Sequence, residues 1–114
     1  MSANNADPIE VDVQTVKTML DRKEDFLLLD CRGDDEHRLV HIAGAKLIPM
    51  QELPQRVGEL DEHKDRPIVV HCHHGGRSLR VTHWLRNQGF ANVRNMTGGI
   101  DAWALEVDKE MARY

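Results

Sequence analysis

Apolar residues occur along this chain in short runs, separated by longer segments with helical spacing. Short runs rich in valine, isoleucine and leucine favour buried strands, because helices are usually longer than such runs. Glycine or proline follows several of the runs and indicates where they end. The pattern predicts five short strands, over residues 9–11, 26–30, 45–48, 67–71 and 92–96.

Between these runs, apolar residues recur three and four positions apart, which is the spacing of one helix face. Asp12 is expected to cap the first helix and Asp34 to cap a short second helix. Helices are predicted over residues 12–21, 34–39, 51–60 (weakly), 78–88 and around 100–105, with a short outer helix over 107–114. Strands that alternate with helices imply an α/β fold, in which a mostly parallel sheet is covered on both faces.

One stretch combines a strand, a cysteine, two glycines and a helix start. Cys72 follows the run over 67–71, and Gly75 and Gly76 free the backbone to turn its N–H groups inward before a helix that starts near Ser78. Converging N–H donors and the positive end of a helix dipole stabilise a thiolate, so Cys72 is expected to be reactive. The same loop favours an anion, which indicates a substrate or intermediate carried on or near sulfur.

Two other interpretations of this stretch remain open on the residues alone. A cysteine at a strand end is often a small buried hydrophobe without a chemical role. His71, His73 and His74 are also potential metal ligands beside Cys72, but contiguous ligands on one tight loop rarely complete a tetrahedral shell. No Cys-x-x-Cys pair exists to complete it, so we expect neither a metal nor another cofactor.

Length and composition are typical of one globular domain. The 114 residues suffice for one core, and we expect a flexible segment over 1–8 followed by a single domain over 9–114. A net charge of −4 without a basic tract argues against nucleic acid as a partner. No apolar run is long enough to span a membrane, and the first residues do not resemble a signal peptide, so a reducing, cytoplasmic location is expected.

Four motifs resemble those of one family, the rhodanese-like domains. Residues 28–32 are L-L-D-C-R and residues 41–45 are H-I-A-G-A, where the family usually has L-[LI]-D-V-R and H-I-P-G-A. Residues 72–78, C-H-H-G-G-R-S, resemble the active loop C-x-x-G-x-R-S, and residues 98–103 resemble the G-G-x-x-A-W signature. The motifs are specific in combination, and the similarity to single-domain members extends over nearly the whole chain.

The resemblance implies a three-layer α/β/α fold with a mostly parallel five-stranded sheet, and it implies sulfur-transfer chemistry. The Cys72 thiolate would attack the outer sulfur of a donor, such as thiosulfate, a polysulfide or a protein persulfide, and become a persulfide itself. Loop N–H groups would hold the terminal sulfur until a nucleophilic acceptor, either a small molecule or a protein, removes it. The thiolate is already the nucleophile, so no base is needed, and no cofactor is implied.

The resemblance also implies roles for the residues around the cysteine. The candidate substrate-binding residues are His73, His74, Gly75, Gly76, Arg77 and Ser78. The two histidines either bind the donor or are solvated. Arg77 either pairs with the donor anion or holds the loop through a carboxylate such as Asp30 or Glu36. Asp30 and Arg32 are then expected to support the loop as an ion pair.

Two departures from the family pattern affect the prediction. His73 stands where an arginine is frequent, which leaves less fixed positive charge for a dianion such as thiosulfate. Cys31 stands where valine is common, and it follows its strand run as Cys72 follows its own. If the two strands are neighbours, as the resemblance implies, their backbones lie about 4.8 Å apart, and Cys31 is a possible redox partner of Cys72. Its alternative role is to fill a valine-sized space in the core.

Two competing functions fit the residues less well. The dual-specificity phosphatases with this fold place five residues between cysteine and arginine, whereas this chain has four, His73 to Gly76. A phosphoryl group is larger than a sulfur atom, so the shorter loop should not encircle it. Some rhodanese-like domains are non-catalytic partner-binding modules, but these usually lack the cysteine, and Cys72 is present. The sequence therefore predicts a sulfurtransferase.

Overall fold

Five strands form a single sheet in the computed structural model, which describes residues 8–114. The strands are β1 (Glu10–Val11), β2 (Leu27–Asp30), β3 (Lys46–Leu47), β4 (Ile68–His71) and β5 (Val93–Met96), in the order β1-β5-β4-β2-β3. Every pairing between neighbouring strands is parallel, which confirms the predicted sheet. The flexible segment expected over 1–8 lies, except for Pro8, outside the described residues.

Helices cover both faces of the sheet. They are α1 (Val13–Asp21), α2 (Asp34–Leu39), α3 (Leu53–Arg56), α4 (Gly76–Asn87) and α5 (Gly99–Glu106). One apolar core lies between the sheet and α3 and α4, and a second lies between the sheet and α1 and α5. The three-layer α/β/α fold implied by the family resemblance is therefore confirmed.

The central strands β2 and β4 bring the two cysteines to the same place. Asp30 lies opposite His71 in the β2–β4 register, and the N–H of Cys31 donates to the carbonyl of His71 at 3.1 Å. Side chains alternate between the faces of a strand, and Val70 and Cys72 both belong to the core under α4. Cys31 belongs to that core too, so both cysteines lie at the carboxyl edge of the sheet on one face.

Local hydrogen bonds explain where the first two helices begin. Asp12 caps α1 as predicted, because its carboxylate accepts the N–H of Thr15 at 2.8 Å. The prediction that Asp34 caps α2 is wrong, since Gly33 is the N-cap residue and Asp34 is already helical. The carboxylate of Glu36 accepts the N–H of Gly33 at 3.1 Å, which stabilises the earlier start.

Two further helical segments differ from the sequence prediction. The region predicted as weakly helical, 51–60, contains α3 flanked by 3₁₀ turns over Met50–Glu52 and Val57–His63. Pro54 lies in the first turn of α3, where its missing N–H breaks no helical hydrogen bond. The helix predicted from residue 78 already begins at Gly76, because the turn at Gly75 completes the reversal of the chain.

The prediction of an outer helix over 107–114 is wrong. After α5 the chain turns at Asp108, whose carbonyl accepts the N–H of Met111 at 3.0 Å, and no regular structure follows. The guanidinium of Arg113 then donates to the carboxylate of Asp101 at 2.9 Å. Tyr114 also bonds Arg32 and Glu36 and stacks on His73. These contacts hold the segment against the carboxyl edge of the sheet in place of a last helix.

Candidate active site

Cys72 lies just beyond the carboxyl end of β4, where the chain turns sharply into α4. Gly75 has a φ of +110°, a conformation that residues with a side chain rarely adopt, and it is the N-cap of α4. A Cβ atom at this position would also lie 3.5 Å from the backbone nitrogen of Gly98. The turn directs the first N–H groups of α4 towards the sulfur of Cys72.

Hydrogen-bond donors from this turn surround the Cys72 sulfur. Sγ lies 3.1 Å from the nitrogen of Gly75, 3.4 Å from the nitrogen of Ser78 and 3.3 Å from Oγ of Ser78. Burial opposes ionisation of the thiol, but the Ser78 hydroxyl and the N–H groups of Ser78, Gly75 and His74 together lower the pKa of Cys72. The residue is only 1% exposed, so the loop stabilises a thiolate that is shielded from water.

Ser78 also begins a chain of polar side chains that leads away from the sulfur. Its Oγ lies 2.5 Å from Oδ1 of Asn95. Nδ2 of Asn95 donates to both carboxylate oxygens of Glu10, at 3.1 and 3.2 Å, and the hydroxyl of Thr97 donates to the same carboxylate at 2.7 Å. Asn95 and Glu10 are register partners on β5 and β1, and no sequence motif marked them as site residues.

The glycines that precede α5 let this helix approach the active loop closely. Gly99 has a φ of +63°, and a Cβ atom there would lie 2.6 Å from the carbonyl oxygen of Cys72 and 2.5 Å from that of His73. The N–H groups of Ile100 and Asp101 donate to these two carbonyls at 2.9 and 3.0 Å. The start of α5 thus fixes the loop through donors that have no partner within the helix. The G-G signature was the sequence signal for this contact, although Gly99 was not among the candidate site residues.

Arg77 is tied to α2. Its Nη1 and Nη2 donate to Oε1 and Oε2 of Glu36, at 2.7 and 2.9 Å. The hydrogen bonds from Arg77 hold the pKa of Glu36 at about 2, well below its ordinary value. This contact fits the structural one of the two roles that the sequence left open for Arg77, with Glu36 and not Asp30 as the partner.

Asp30 and Arg32 form a buried ion pair that supports α2. Nε and Nη2 of Arg32 donate to the two oxygens of Asp30 at 2.9 and 2.7 Å, and Nη2 also donates to the carbonyl of Val40 at 2.7 Å. Burial opposes ionisation of Asp30, but Arg32 and the neighbouring His71 and His37 hold its pKa at about 2. The link from this pair to the active loop runs through α2, which carries the carboxylate that binds Arg77.

The comparisons with known proteins agree with this geometry. A family model described as a rhodanese-like domain matches residues 12–106. This chain belongs to the rhodanese-like domain family. A protein named Sulfurtransferase from Allochromatium vinosum is 38% identical over 95 residues, which are 83% of this chain and 87% of that protein. A crystal structure of a rhodanese-like domain protein from Staphylococcus aureus has a TM-score of 0.79 at 26% identity, and the match covers 94% of this chain and 99% of the other.

Other relatives are much longer than this rhodanese-like domain. Rhodanese-like/PpiC domain-containing protein 12, chloroplastic, from Arabidopsis thaliana is 36% identical over 91 residues. The match covers 76% of this chain but only 30% of that protein.

Among the described residues, no helix combines the length and the apolar character needed to cross a membrane.

Aromatic rings line the outer rim of the active loop in this rhodanese-like domain. The ring of His73 stacks between those of His74 and Tyr114, with centroid distances of 3.9 and 3.8 Å. The Tyr114 hydroxyl accepts from Nη1 of Arg32 at 2.9 Å and donates to Glu36 at 2.8 Å. Burial, together with the neighbouring His74, lowers the pKa of His73, so this imidazole is neutral at pH 7.

His73, His74 and Asp101 form a group of potential metal ligands whose donor atoms lie within 4.8 Å of one another. Its geometry does not favour a shared ion. The two rings stack with 25° between their planes, so their in-plane lone pairs do not converge, and Asp101 is already paired with an arginine. His71 is fully buried, and alternation along β4 turns it away from the face that holds Cys72. We therefore assign no metal to these residues.

Cys31 lies beside Cys72 in the same core but differs from it chemically. Both residues are free cysteines and both are 1% exposed. Burial, with Cys72 and Asp30 nearby, raises the pKa of Cys31 to about 12. Cys31 is thus a protonated thiol at neutral pH, and Cys72 is the cysteine suited to act as a nucleophile.

Proposed function

We propose that this rhodanese-like domain is a sulfurtransferase that carries a sulfane sulfur on Cys72 as a persulfide. The observation that carries the proposal is the position of Sγ, 3.1 Å from the nitrogen of Gly75 and 3.4 Å from that of Ser78 at the start of α4. Negative charge on sulfur is stabilised there without a general base. The relative from Allochromatium vinosum, which is named Sulfurtransferase, supports the reaction class.

The reaction has two steps that balance in atoms and charge. With thiosulfate, the Cys72 thiolate attacks the outer sulfur, a sulfur–sulfur bond forms on Sγ, and sulfite leaves with the electron pair of the broken bond. The terminal sulfur of the persulfide then carries the negative charge. With cyanide as acceptor, a carbon–sulfur bond forms, thiocyanate leaves, and Cys72 returns to the thiolate.

The first turn of α4 is suited to hold the terminal sulfur. Gly76 and Arg77 are the first two residues of α4, where N–H groups have no acceptor within the helix. They lie in sequence between Gly75 and Ser78, whose N–H groups already reach Sγ. We assign the N–H groups of Gly76 and Arg77 to the outer sulfur. His74, whose side chain is 65% exposed at the rim, is suited to contact the donor.

The charges around the loop favour a donor other than a small dianion. The guanidinium of Arg77 is engaged by Glu36, and the lowered pKa of His73 leaves that ring neutral. Little fixed positive charge therefore faces an incoming donor. We propose a polysulfide or a protein persulfide as the physiological donor in preference to thiosulfate, with a small-molecule or protein nucleophile as the acceptor.

The state of the two cysteines indicates the compartment, and the net charge indicates which partners are disfavoured. Neither cysteine is in a disulfide, which fits a reducing compartment, and we propose a cytoplasmic location. The chemistry above uses no cofactor. The net charge of −4 does not favour nucleic acid or an anionic membrane surface as a partner.

The test measures thiocyanate formed from thiosulfate or a polysulfide with cyanide, and the intact mass before and after cyanide. Loading should add the mass of one sulfur atom to Cys72, and cyanide should remove it. Cys72→Ser should abolish both signals, whereas Cys31→Ser, the matched control, should retain most of the activity. If Cys72 gains no sulfur from any of these donors, or if Cys72→Ser stays fully active, the proposal is wrong, and a partner-binding module becomes the better interpretation.

A further inference from the structure

The hydroxyl of Ser78 has one proton and three acceptors within reach. Oγ lies 3.3 Å from Sγ of Cys72, 3.3 Å from the carbonyl oxygen of Gly75 and 2.5 Å from Oδ1 of Asn95. Ser78 is fully buried and Asn95 is 3% exposed, so bulk water does not supply a substitute donor. Whichever acceptor takes this proton, the other two lose it.

The carboxylate of Glu10 determines which end of the Asn95 amide faces Ser78. An ionised carboxylate only accepts hydrogen bonds, so the amide must present its NH₂ group to Glu10, at 3.1 and 3.2 Å. Nδ2 also lies 3.4 Å from the carbonyl oxygen of Gly75, which supports the same orientation. Oδ1 therefore faces Ser78 and competes with the Cys72 sulfur for the hydroxyl proton.

We propose that Asn95 and Glu10 are positioning residues that control where the Ser78 hydroxyl points, and through it the charge state of Cys72. When Cys72 is a thiol, the hydroxyl donates to Asn95. When Cys72 ionises, the hydroxyl rotates to the negative sulfur and leaves Oδ1 of Asn95 without that bond.

A second consequence rests on the proposed function. In the persulfide the negative charge moves from Sγ to the terminal sulfur, so Sγ no longer holds the proton and the hydroxyl returns to Asn95. The hydroxyl thus follows the sulfur charge through the catalytic cycle. The thiol–thiolate stage requires no sulfur donor and can be tested on the free protein.

Two substitutions remove the competition in different ways. Glu10→Gln supplies a donor to Asn95, which lets the amide turn its NH₂ group towards Oγ of Ser78 and leaves the hydroxyl proton to the sulfur. Asn95→Ala deletes the competing acceptor. Each change should favour the thiolate, with about a three- to tenfold rise in the thiolate-to-thiol ratio of Cys72, the effect of one hydrogen bond of ordinary net strength.

The measurement is the ultraviolet absorbance of the thiolate as a function of pH. The titration of Cys72→Ser is subtracted from it, because that variant still contains the absorbance of Tyr114 and Cys31. Each variant is titrated with Ser78 and with Ser78→Ala. Loss of the Glu10 charge could also act through space, but that effect would persist without the hydroxyl. We expect the rise in the ratio only when Ser78 is present. Thr97→Val, which removes a different partner of Glu10, is the control and should not shift the titration.

An equal shift in the Ser78→Ala background, or no shift from Glu10→Gln and Asn95→Ala with Ser78 present, overturns the positioning role. This result is independent of sulfur transfer. Normal thiocyanate formation without a Ser78-dependent shift removes only the role of Asn95 and Glu10. A Ser78-dependent shift in a protein that transfers no sulfur supports that role and removes the proposed function.

Discussion

The guanidinium of Arg77 and the carboxylate of Glu36 meet in a fork of two hydrogen bonds, at 2.7 and 2.9 Å, although 41 positions separate them in the sequence. Arg77 belongs to the active loop and Glu36 to α2. Two parallel bonds between planar groups restrict orientation as well as distance. The start of α4, and with it the donors around the Cys72 sulfur, therefore depends on where α2 is held.

Arg77→Lys tests this dependence, because lysine keeps the charge but cannot form the fork. We expect sulfur transfer to fall about tenfold and the free energy of unfolding to fall by about 1 kcal/mol, since the pair is partly exposed. Thiocyanate formation and urea unfolding measure the two effects. Arg56→Lys, at a partly exposed arginine that bonds Glu52 and Glu59, is the matched control and should leave transfer unchanged. Full activity in Arg77→Lys would show that the fork does not shape the site.

The lowered pKa of Glu36 predicts a specific loss of stability in acid. Its pKa is about 2 in the folded protein against an ordinary value of 4.5, so its contribution is complete above pH 4.5. That contribution is lost as the pH falls from 4.5 towards 2, where the folded protein also binds the proton. The difference in unfolding free energy between the protein and Glu36→Gln should shrink over this range. Asp30 is present in both proteins, so its contribution cancels from the difference in unfolding free energy. A difference that does not change with pH would contradict the prediction.

The β2–β4 register makes Cys31 a proposed redox partner of Cys72. Neighbouring strand backbones lie about 4.8 Å apart, within the Cα separations that a disulfide tolerates. Mild peroxide should convert the Cys72 thiolate to a sulfenic acid, and Cys31 should displace water from it to form a disulfide. The reaction should be slow because the pKa of Cys31 is about 12. Peptide mapping should find a Cys31–Cys72 cross-link that a dithiol reverses, with activity returning in parallel.

Cys31→Val is the control for this cross-link, since valine is common at this position in the family. Cys72 should then proceed to the irreversible sulfinic acid faster than it does in the unaltered protein. If Cys72 overoxidises at the same rate in both proteins, Cys31 serves only to pack the core.

The stacked ring of Tyr114 predicts a change in the titration of His73. Burial is the main reason that the pKa of His73 is lowered, and the Tyr114 ring, 3.8 Å away, supplies part of this burial. Tyr114→Ala should therefore raise the pKa of His73, as measured by NMR titration of the imidazole protons. Tyr114→Phe keeps the aromatic ring and should shift the pKa of His73 less. Equal titrations in all three proteins would mean that the stacking does not persist in solution.

The size of the active loop predicts which anion it binds. Four residues separate Cys72 from Arg77, one fewer than in the phosphatases with this fold, so the loop should not encircle a phosphoryl group. The protein should show no useful hydrolysis of aryl phosphates. One glycine inserted between His74 and Gly75 should lower sulfur transfer by about tenfold or more, because the N–H donors move away from the sulfur. Efficient turnover of a phosphate ester by the unaltered protein would contradict the sulfurtransferase interpretation.

The sequence by itself determined the features that depend on neighbouring residues. Strand length, the Asp12 cap and the glycine turn after Cys72 follow from backbone preferences within a few positions, and alternating elements imply a parallel sheet. Local rules also failed where a tertiary contact competes with them. The segment 107–114 could form a helix, but its contacts with the carboxyl edge of the sheet hold it in another conformation.

Only the tertiary structure decided which partners the site residues have. Glu36 bonds Arg77 across 41 positions, and Glu10 bonds Asn95 across 85. These contacts require the strand order β1-β5-β4-β2-β3, which brings the first strand beside the last. Hydrophobic periodicity reports which face of an element is buried but not which element lies next to it. The polar groups that control the Cys72 sulfur could therefore not be paired until the sheet was assembled.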